Sequence, residues 1–131
     1  MSFISTAVDK DRFAETIGVR LIEVSAGYAK AEMTLEDKHL NGLDMAHGGA
    51  IFTVADLAFA AACNSHGIDA VAVSISISYL KAATAGQRLT AEAREISVSR
   101  KLGTYLMTVY NDQGDTVASM QGVAFRKTPK K

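Results

Sequence analysis

The 131-residue chain contains one cysteine, one proline and no tryptophan. Because Cys63 has no second cysteine to pair with, no disulfide can form within the chain, which is typical of a reducing compartment. The first residues lack a basic segment followed by an apolar run, so we expect no signal peptide and a cytoplasmic location. The most apolar stretch, residues 50–63, contains Asp56 and is too short to span a bilayer, so no membrane partner is expected.

An excess of charge of either sign is also absent, since 14 Lys and Arg balance 14 Asp and Glu. Such a chain has no overall positive field, and we therefore expect no nucleic-acid partner. The three histidines, His39, His47 and His66, lack the short spacing of a zinc site, and we expect neither a metal nor another cofactor. The length suits one domain, residues 1–131, which can bury a core without such supports.

The apolar pattern predicts a short helix, a hairpin, a long helix and four further strands. The expected ranges are residues 9–17 for the first helix, 19–35 for the hairpin with its turn at Ala26-Gly27, 49–65 for the long helix, and 70–80, 88–99, 103–111 and 115–125 for the strands. Gly67 is expected to cap the long helix in a left-handed conformation. A change of apolar parity between Ala93 and Ile96 predicts a bulge. The strand at 70–80 is expected to carry five residues on one face: Val71, Val73, Ile75, Ile77 and Tyr79.

The long helix is apolar on all sides, and such a helix must be covered almost completely. The sequence therefore predicts an α+β fold in which a curved antiparallel sheet wraps around one long central helix. Faces that the sheet leaves exposed would be buried by assembly into a homo-oligomer.

One charged residue, Asp56, lies within this helix. An ionised carboxylate is costly to bury without a partner, and no Lys, Arg or His lies three or four positions away on the helix. Four interpretations remain open for Asp56: a structural partner elsewhere, coordination of a bound group, exposure through a gap between subunits, or a part in the chemistry.

The segment His47-Gly48-Gly49 lies where the helix begins. A helix N-terminus offers free N–H groups and partial positive charge, and glycines allow a substrate to come close, so this segment is either an oxyanion site or an ordinary glycine-rich helix start. Gly48 and Asp56 are separated by about 12 Å along the axis and about 80° around it. One chain cannot bring both to the same carbonyl. If both act on one substrate, the site requires two helices packed antiparallel in a dimer.

Residues 41–67, NGLDMAHGGAIFTVADLAFAAACNSHG, resemble the signature of the PaaI-like hotdog thioesterases, the phenylacetate-degradation type. The order of helices and strands agrees with this family over about residues 10–127. The resemblance implies a hotdog fold and hydrolysis of acyl-CoA thioesters with phenylacetyl, hydroxyphenylacetyl or related aryl-acyl groups. It also implies a homotetramer that is a dimer of dimers.

Residue by residue, the resemblance implies that Asp56 is the nucleophile or general base and that the Gly48 N–H polarises the thioester carbonyl. Asn41 would help to place the carbonyl or the attacking water, and His47 would fix the loop near the thioester. Leu57 stands where some relatives carry a hydroxyl, so Thr53 is the candidate for that role. Further substrate-binding candidates are Gly49 at the helix start, Ser78, Tyr79 and Lys81 along a strand edge, and, for the coenzyme A phosphates, Arg88, Arg100 and Lys101, each of which could instead be an ordinary surface charge.

Two other functions remain as alternatives. A hotdog hydratase or dehydratase would pair a histidine with an acid in another arrangement, and a non-catalytic acyl-CoA-binding domain would not need Asp56. A Cys63–His66 nucleophile is disfavoured because Cys63 lies on an alanine-rich face, and His66 is expected to contact the last helix carbonyls. Three aromatic residues could line a pocket or belong to the core: Phe52, Phe59 and Tyr79.

Overall fold

The computed structural model describes residue 8 and residues 10–127. The elements follow in the order α1 (Arg12–Ile17), β1 (Arg20–Ser25), β2 (Tyr28–Thr34), a 3-10 turn (Asp37–His39), α2 (Gly48–Cys63), β3 (Ala70–Tyr79), β4 (Arg88–Val98), β5 (Leu102–Tyr110) and β6 (Thr116–Arg126). The predicted elements are therefore present in the predicted order. Among the described residues, no helix is long and apolar enough to cross a membrane.

The six strands form one antiparallel sheet in the order β1-β2-β4-β5-β6-β3. Strand β3 follows α2 in the chain but pairs with β6, so the chain passes from one side of the sheet to the opposite edge by way of the helix. The curved sheet packs on α2 mainly through β2, β4 and β5. The predicted α+β architecture, one long helix within a curved antiparallel sheet, is confirmed.

Small side chains bring α2 close to the sheet. Fully buried alanines lie on both sides of this contact: Ala29 and Ala31 in β2, Ala91 and Ala93 in β4, and Ala55, Ala58, Ala61 and Ala62 in α2. Inward and outward residues alternate along β2 and along the first half of β4, as the sequence pattern predicts. Because the two backbones are so close, there is little space for additional atoms between them.

Phe59 is the large side chain that completes this packing. Its ring lies against Gly122 of β6, where a Cβ atom would come within 2.8 Å of the ring. The ring centroids of Phe59 and Tyr105 are 5.7 Å apart. With 1% of its surface exposed, Phe59 belongs to the core.

The ends of α1 and α2 differ from the predicted ranges. Helix α1 begins at Arg12, and Asp11 caps it by accepting the Ala14 N–H at 3.0 Å, while residue 9 lies outside the described residues. Helix α2 begins one residue earlier and ends two residues earlier than predicted. Gly67 has the expected left-handed φ of 78°, but it lies beyond the helix, so the prediction that it caps α2 is wrong.

The cap of α2 is Asn64, whose side chain connects the helix end to β3. Its Nδ2 donates to the Ala60 carbonyl at 2.8 Å and to the Ala70 carbonyl at 3.2 Å, and its Oδ1 accepts the Ala70 N–H at 3.0 Å. Because one amide side chain satisfies groups of both elements, the helix can end without a glycine at this position.

The bulge predicted in β4 is confirmed, since the register with β5 shifts between Glu95 and Ser97. A second bulge lies in β3, where the register with β6 shifts between Ala72 and Ser74 and leaves Val73 as the extra residue. An extra residue reverses the side-chain alternation on one side of it.

The prediction of one continuous apolar face along β3 is therefore wrong. Val71 and Val73 are exposed, whereas Ile75 and Ile77 are half-buried against the core.

We expect Ala58→Leu to destabilise the protein by about 1–3 kcal/mol, because the helix–sheet contact has no space for three more carbon atoms. Denaturant-induced unfolding measures the change. Ala85→Leu, at an exposed residue of the loop between β3 and β4, is the matched control and should change stability by less than about 0.5 kcal/mol. Equal stability of the Ala58→Leu variant and the parent would contradict close packing at this contact.

Candidate active site

Helix α2 is covered by the described part of the chain except along one stripe. Within residues 50–63, only Phe52, Asp56 and Ala60 retain appreciable exposure. These residues are four apart, so they lie above one another on one helix face. We call this face the open stripe. It carries the single charged residue of α2.

Asp56 is partly buried on the open stripe and forms no ion pair or hydrogen bond with any described residue. Burial raises the pKa of its carboxyl above the ordinary value of 3.8, and the negative charge of Asp11 adds to the increase. A structural carboxylate normally has a cation or several N–H donors beside it. Asp56 has neither among the described residues, and its raised pKa makes it a stronger base.

His47 caps the start of α2. Its Nδ1 accepts the Gly49 N–H at 2.8 Å, and its carbonyl accepts the Ala50 N–H at 2.9 Å and the Ile51 N–H at 3.2 Å. The Gly48 N–H donates to no acceptor among the described residues. Gly48 therefore supplies the available backbone donor at this helix start, whereas the Gly49 N–H is already bound.

Two hydroxyl groups hold carbonyls of the same helical turn. Tyr79 Oη donates to the Gly48 carbonyl at 3.0 Å, and Thr53 Oγ1 donates to the Gly49 carbonyl at 2.7 Å. A Cβ atom on Gly48 would lie 3.1 Å from Cζ and Oη of Tyr79. The glycine at position 48 thus permits the tyrosine ring to lie directly against the backbone.

Asn41 lies in the loop before α2. Its side-chain Oδ1 accepts the Leu43 N–H at 2.8 Å and the Met45 N–H at 3.1 Å. Two N–H donors on one side-chain atom identify that atom as the oxygen, so Nδ2 is the group left to bind a carbonyl or a water.

Two clefts flank the start of α2. The first, which we call the Asn41 cleft, has a volume of about 370 Å³ and is lined in part by Asn41, Gly48, Ile51, Tyr79 and Lys81. The second, which we call the Phe52 cleft, has a volume of about 410 Å³ and is lined in part by Phe13, Ile17, His47, Gly49, Phe52 and Thr53. The structure thus brings together most of the predicted site residues around the helix start, but Asp56 lines neither cleft.

Lys81 and Arg88 already have acidic partners. Lys81 Nζ lies 2.7 Å from Asp115 Oδ2 at the edge of the Asn41 cleft. Arg88 Nε lies 3.9 Å from Glu32 Oε1 on the outer face of the sheet. Neighbouring residues of a strand point to opposite faces, so Ser78 points away from the side of the sheet that Tyr79 occupies.

Arg100 and Lys101 lie far from the helix start of their own chain. They occupy the turn between β4 and β5, where the Lys101 carbonyl accepts the Arg126 N–H at 2.7 Å. Arg126 pairs with Ala70 at the beginning of β3. Tyr79 lies at the other end of that strand, about 30 Å from Ala70. A contact of either residue with a ligand in the Asn41 cleft would have to come from another protomer.

The sulfhydryl group of Cys63 is unsuited to nucleophilic attack. Burial raises the pKa of the Cys63 thiol to about 12, with a contribution from the negative charge of Asp56. His66 does not contact the last helix carbonyls, so that prediction is wrong; its Nε2 lies 2.6 Å from Oε1 of Glu95. Because α2 ends at Cys63, the histidine lies past the helix and beside the bulge of β4.

Sequence reasoning missed the hydrogen bond from Tyr79 to the Gly48 carbonyl and the ion pair between Lys81 and Asp115. Both contacts join segments more than thirty residues apart. They arise because β3 pairs with β6, which places the end of β3 beside the start of α2. No local pattern in the sequence indicates that pairing.

Residues 43–118, more than half of the chain, match the thioesterase superfamily. The chain belongs to this superfamily. The acyl-coenzyme A thioesterase PaaI of Escherichia coli is 38% identical over 118 residues, which cover 90% of this chain and 84% of that protein. A protein of Archaeoglobus fulgidus is 46% identical over 116 residues, 88% of this chain and 75% of that one.

Solved structures agree with this assignment. The E. coli PaaI structure superposes with a TM-score of 0.91 at 34% identity, covering 98% of this chain and 96% of the other. The structure of smu.793 from Streptococcus mutans, bound to acetyl CoA, superposes with a TM-score of 0.82 at 30% identity. The match covers 87% of this chain and 92% of the other. The resemblance to PaaI-like hotdog thioesterases is confirmed, and with it the hotdog fold.

We expect Asp56→Asn to raise the melting temperature at neutral pH. The folded-state pKa of Asp56 lies above the unfolded value, so the folded state binds more protons between the two values. The stability that this group contributes is fully present below the unfolded pKa and is lost as pH rises through the folded pKa. Ionised Asp56 therefore costs stability at neutral pH, and the asparagine removes that cost.

Thermal unfolding of the parent and the variant across pH measures this effect. The gain of Asp56→Asn should shrink as the pH falls towards the ordinary value of 3.8. The control Asp112→Asn, in the exposed β5–β6 turn, should leave the melting temperature nearly unchanged at every pH. A lower melting temperature of Asp56→Asn at neutral pH would contradict the raised pKa and show that the folded protein stabilises the charged form of Asp56.

Proposed function

We propose that this protein hydrolyses acyl-CoA thioesters to a free acid and coenzyme A. The observation that carries the proposal is Asp56, a carboxylate on the open stripe of α2 that has no ion-pair partner among the described residues, in a member of the thioesterase superfamily. The similar E. coli protein PaaI is an acyl-coenzyme A thioesterase, and the S. mutans relative was solved with acetyl CoA.

The proposed acyl groups are phenylacetyl, hydroxyphenylacetyl and related aryl-acyl groups. The similar E. coli protein belongs to a phenylacetic acid degradation operon. The Phe52 cleft supports the same choice, because Phe13, Ile17 and Phe52 provide an apolar lining beside the helix start.

In the proposed reaction, the Asp56 carboxylate attacks the thioester carbon or removes a proton from an attacking water. The Gly48 N–H donates to the carbonyl oxygen as it becomes an oxyanion, and Asn41 Nδ2 donates to the same carbonyl or to the water. The C–S bond then breaks, and coenzyme A leaves as a thiolate that needs no strong general acid. Attack by Asp56 itself would give an anhydride, which water hydrolyses to the acid.

The proposed site is shared between two protomers. Asp56 is about 12 Å along the helix from Gly48 and lines neither cleft of its own chain. If two open stripes pack antiparallel about a twofold axis, Asp56 of one protomer approaches the Asn41 cleft of its partner. The same contact would cover Phe52 and Ala60. A tetramer formed from two such dimers remains our proposal for the full assembly.

We expect Asp56→Asn and Asp56→Ala to lower thioester hydrolysis about a hundredfold or more, because they remove the nucleophile or general base. The assay follows thiol release from phenylacetyl-, hydroxyphenylacetyl- and straight-chain acyl-CoA. Because the pKa of Asp56 is raised, the acidic limb of the parent's kcat/KM profile should lie above pH 3.8.

The control Asp112→Asn should hydrolyse acyl-CoA at the parent's rate. Parent-like rates in both Asp56 variants would refute the proposed role of Asp56. Hydration of an enoyl-CoA by the parent without thiol release would show a hydratase, and tight binding of acyl-CoA without turnover would show a binding domain.

The Gly48 N–H is tested by comparing Gly48→Pro with Gly48→Ala. Both substitutions place a Cβ beside Tyr79, but proline alone removes the N–H group. Proline is accepted at the first helical residue, and His47 already has the extended backbone, φ −63° and ψ 139°, that a following proline requires. We expect Gly48→Pro to be about a hundredfold slower than Gly48→Ala. Equal rates of the two variants would exclude the N–H as oxyanion donor.

The shared site is tested by mixing subunits of Asp56→Ala and Gly48→Pro, each almost inactive alone. In a mixed dimer one site receives both substitutions and the other receives neither. Random mixing after co-expression should therefore restore about one quarter of the parent's activity. If each site were formed within one chain, mixing would restore nothing.

A further inference from the structure

We infer that Tyr79 is a positioning residue, which holds the Gly48–Gly49 peptide so that the Gly48 N–H faces the substrate carbonyl. The inference rests on the proposed oxyanion role of Gly48 and assigns Tyr79 a task different from the substrate binding that the sequence suggested. It concerns the start of α2, where the backbone has least support from the helix itself.

The peptide group between Gly48 and Gly49 is held at both of its polar ends by side chains. Its carbonyl oxygen accepts from Tyr79 Oη at 3.0 Å, and its N–H donates to His47 Nδ1 at 2.8 Å. The two bonds come from opposite directions along the chain, one from the residue before α2 and one from the end of β3. Together they fix the rotation of this peptide plane.

Such support is needed because two consecutive glycines lack the Cβ atoms that restrict backbone rotation. In addition, the first N–H groups of a helix have no preceding turn to bind to. The direction of the Gly48 N–H depends on the dihedral angles of Gly48, which the held peptide plane restrains. A donor displaced by about 1 Å loses much of its effect on a transition state.

Tyr79 is itself well anchored for this task. The two residues after it bind the sheet, since the N–H groups of Leu80 and Lys81 donate to the Val117 carbonyl at 2.8 and 3.2 Å. Its ring lies against Gly48, so close that a Cβ there would meet it at 3.1 Å. Half of the side chain is exposed, so burial alone does not account for its placement. Tyr79 thereby connects the start of α2 to the hydrogen-bonded sheet.

The test compares Tyr79→Phe with Tyr28→Phe. Tyr79→Phe keeps the ring and removes only the hydroxyl that binds the Gly48 carbonyl. Tyr28→Phe removes a hydroxyl that donates to Glu92 at 2.5 Å on the outer face of the sheet, away from both clefts. Thermal unfolding confirms that each variant is folded.

With phenylacetyl-CoA, or the acyl-CoA that the parent hydrolyses fastest, we expect Tyr79→Phe to lower kcat about tenfold while KM changes less than about twofold. Tyr28→Phe should leave both constants unchanged. A raised KM with unchanged kcat would make Tyr79 a substrate contact and overturn the inference.

A second measurement needs no substrate. Solvent exchange of the Gly49 amide, followed by NMR, should become several-fold faster in Tyr79→Phe and remain unchanged in Tyr28→Phe. If the parent hydrolyses none of the tested thioesters, the proposed function is wrong. The exchange rate of the Gly49 amide then decides alone whether Tyr79 holds the peptide. Unchanged exchange in Tyr79→Phe would overturn the inference whatever the activity.

Discussion

The close packing of α2 against the sheet is the constraint on which the rest of the structure depends. Alanines on β2, β4 and α2 let the two backbones approach, and the curved sheet covers the helix on every side but one. A nearly apolar helix is stable in this setting because its side chains are removed from water. The same coverage restricts any accessible chemistry on α2 to the open stripe and to the first helical turn.

These two accessible regions contain complementary groups. The open stripe contributes a carboxylate, Asp56, whose charge has no partner among the described residues. The first turn contributes the Gly48 N–H, a hydrogen-bond donor that has no acceptor among the described residues. Each group is unfavourable for its own chain in isolation, and the two are too far apart to satisfy each other within one helix. An assembly that brings the groups of two chains together would use both at once, which is why catalysis and dimerisation are coupled in the proposed site.

Much of the fold could be predicted because local sequence patterns indicate its individual helices, strands and turns. The alternation in β2, the glycine turns and the apolar run of α2 each indicate an element without reference to the rest of the chain. The bulge in β4 also had a signal, a change in apolar parity before Ile96. The bulge at Val73 had none, because Val71 and Val73 continue the alternation although their side chains do not face the core. Apolar residues on an exposed strand look like core residues in the sequence.

The candidate site, like the fold, could be predicted only in part. Asp56, Gly48 and Asn41 could be selected from the sequence, since an isolated acid in an apolar helix and a glycine pair at its start are visible there. The hydrogen bond of Tyr79 to Gly48 and the separation of Arg100 and Lys101 from the Asn41 cleft depend on the strand order, with β3 at the edge beside β6. Contacts of that kind follow from tertiary pairing, which the local pattern does not specify.

The contact between Phe59 and Gly122 affects the rotation of α2 about its long axis. The ring occupies the space where β6 has no side chain, which favours the observed orientation of α2 about its long axis. Asp56 lies on the same helix, about 60° away around that axis. A methyl group on Gly122 would collide with this ring, so the ring or the helix would have to shift, and residue 122 is thereby coupled through Phe59 to the helix that carries Asp56.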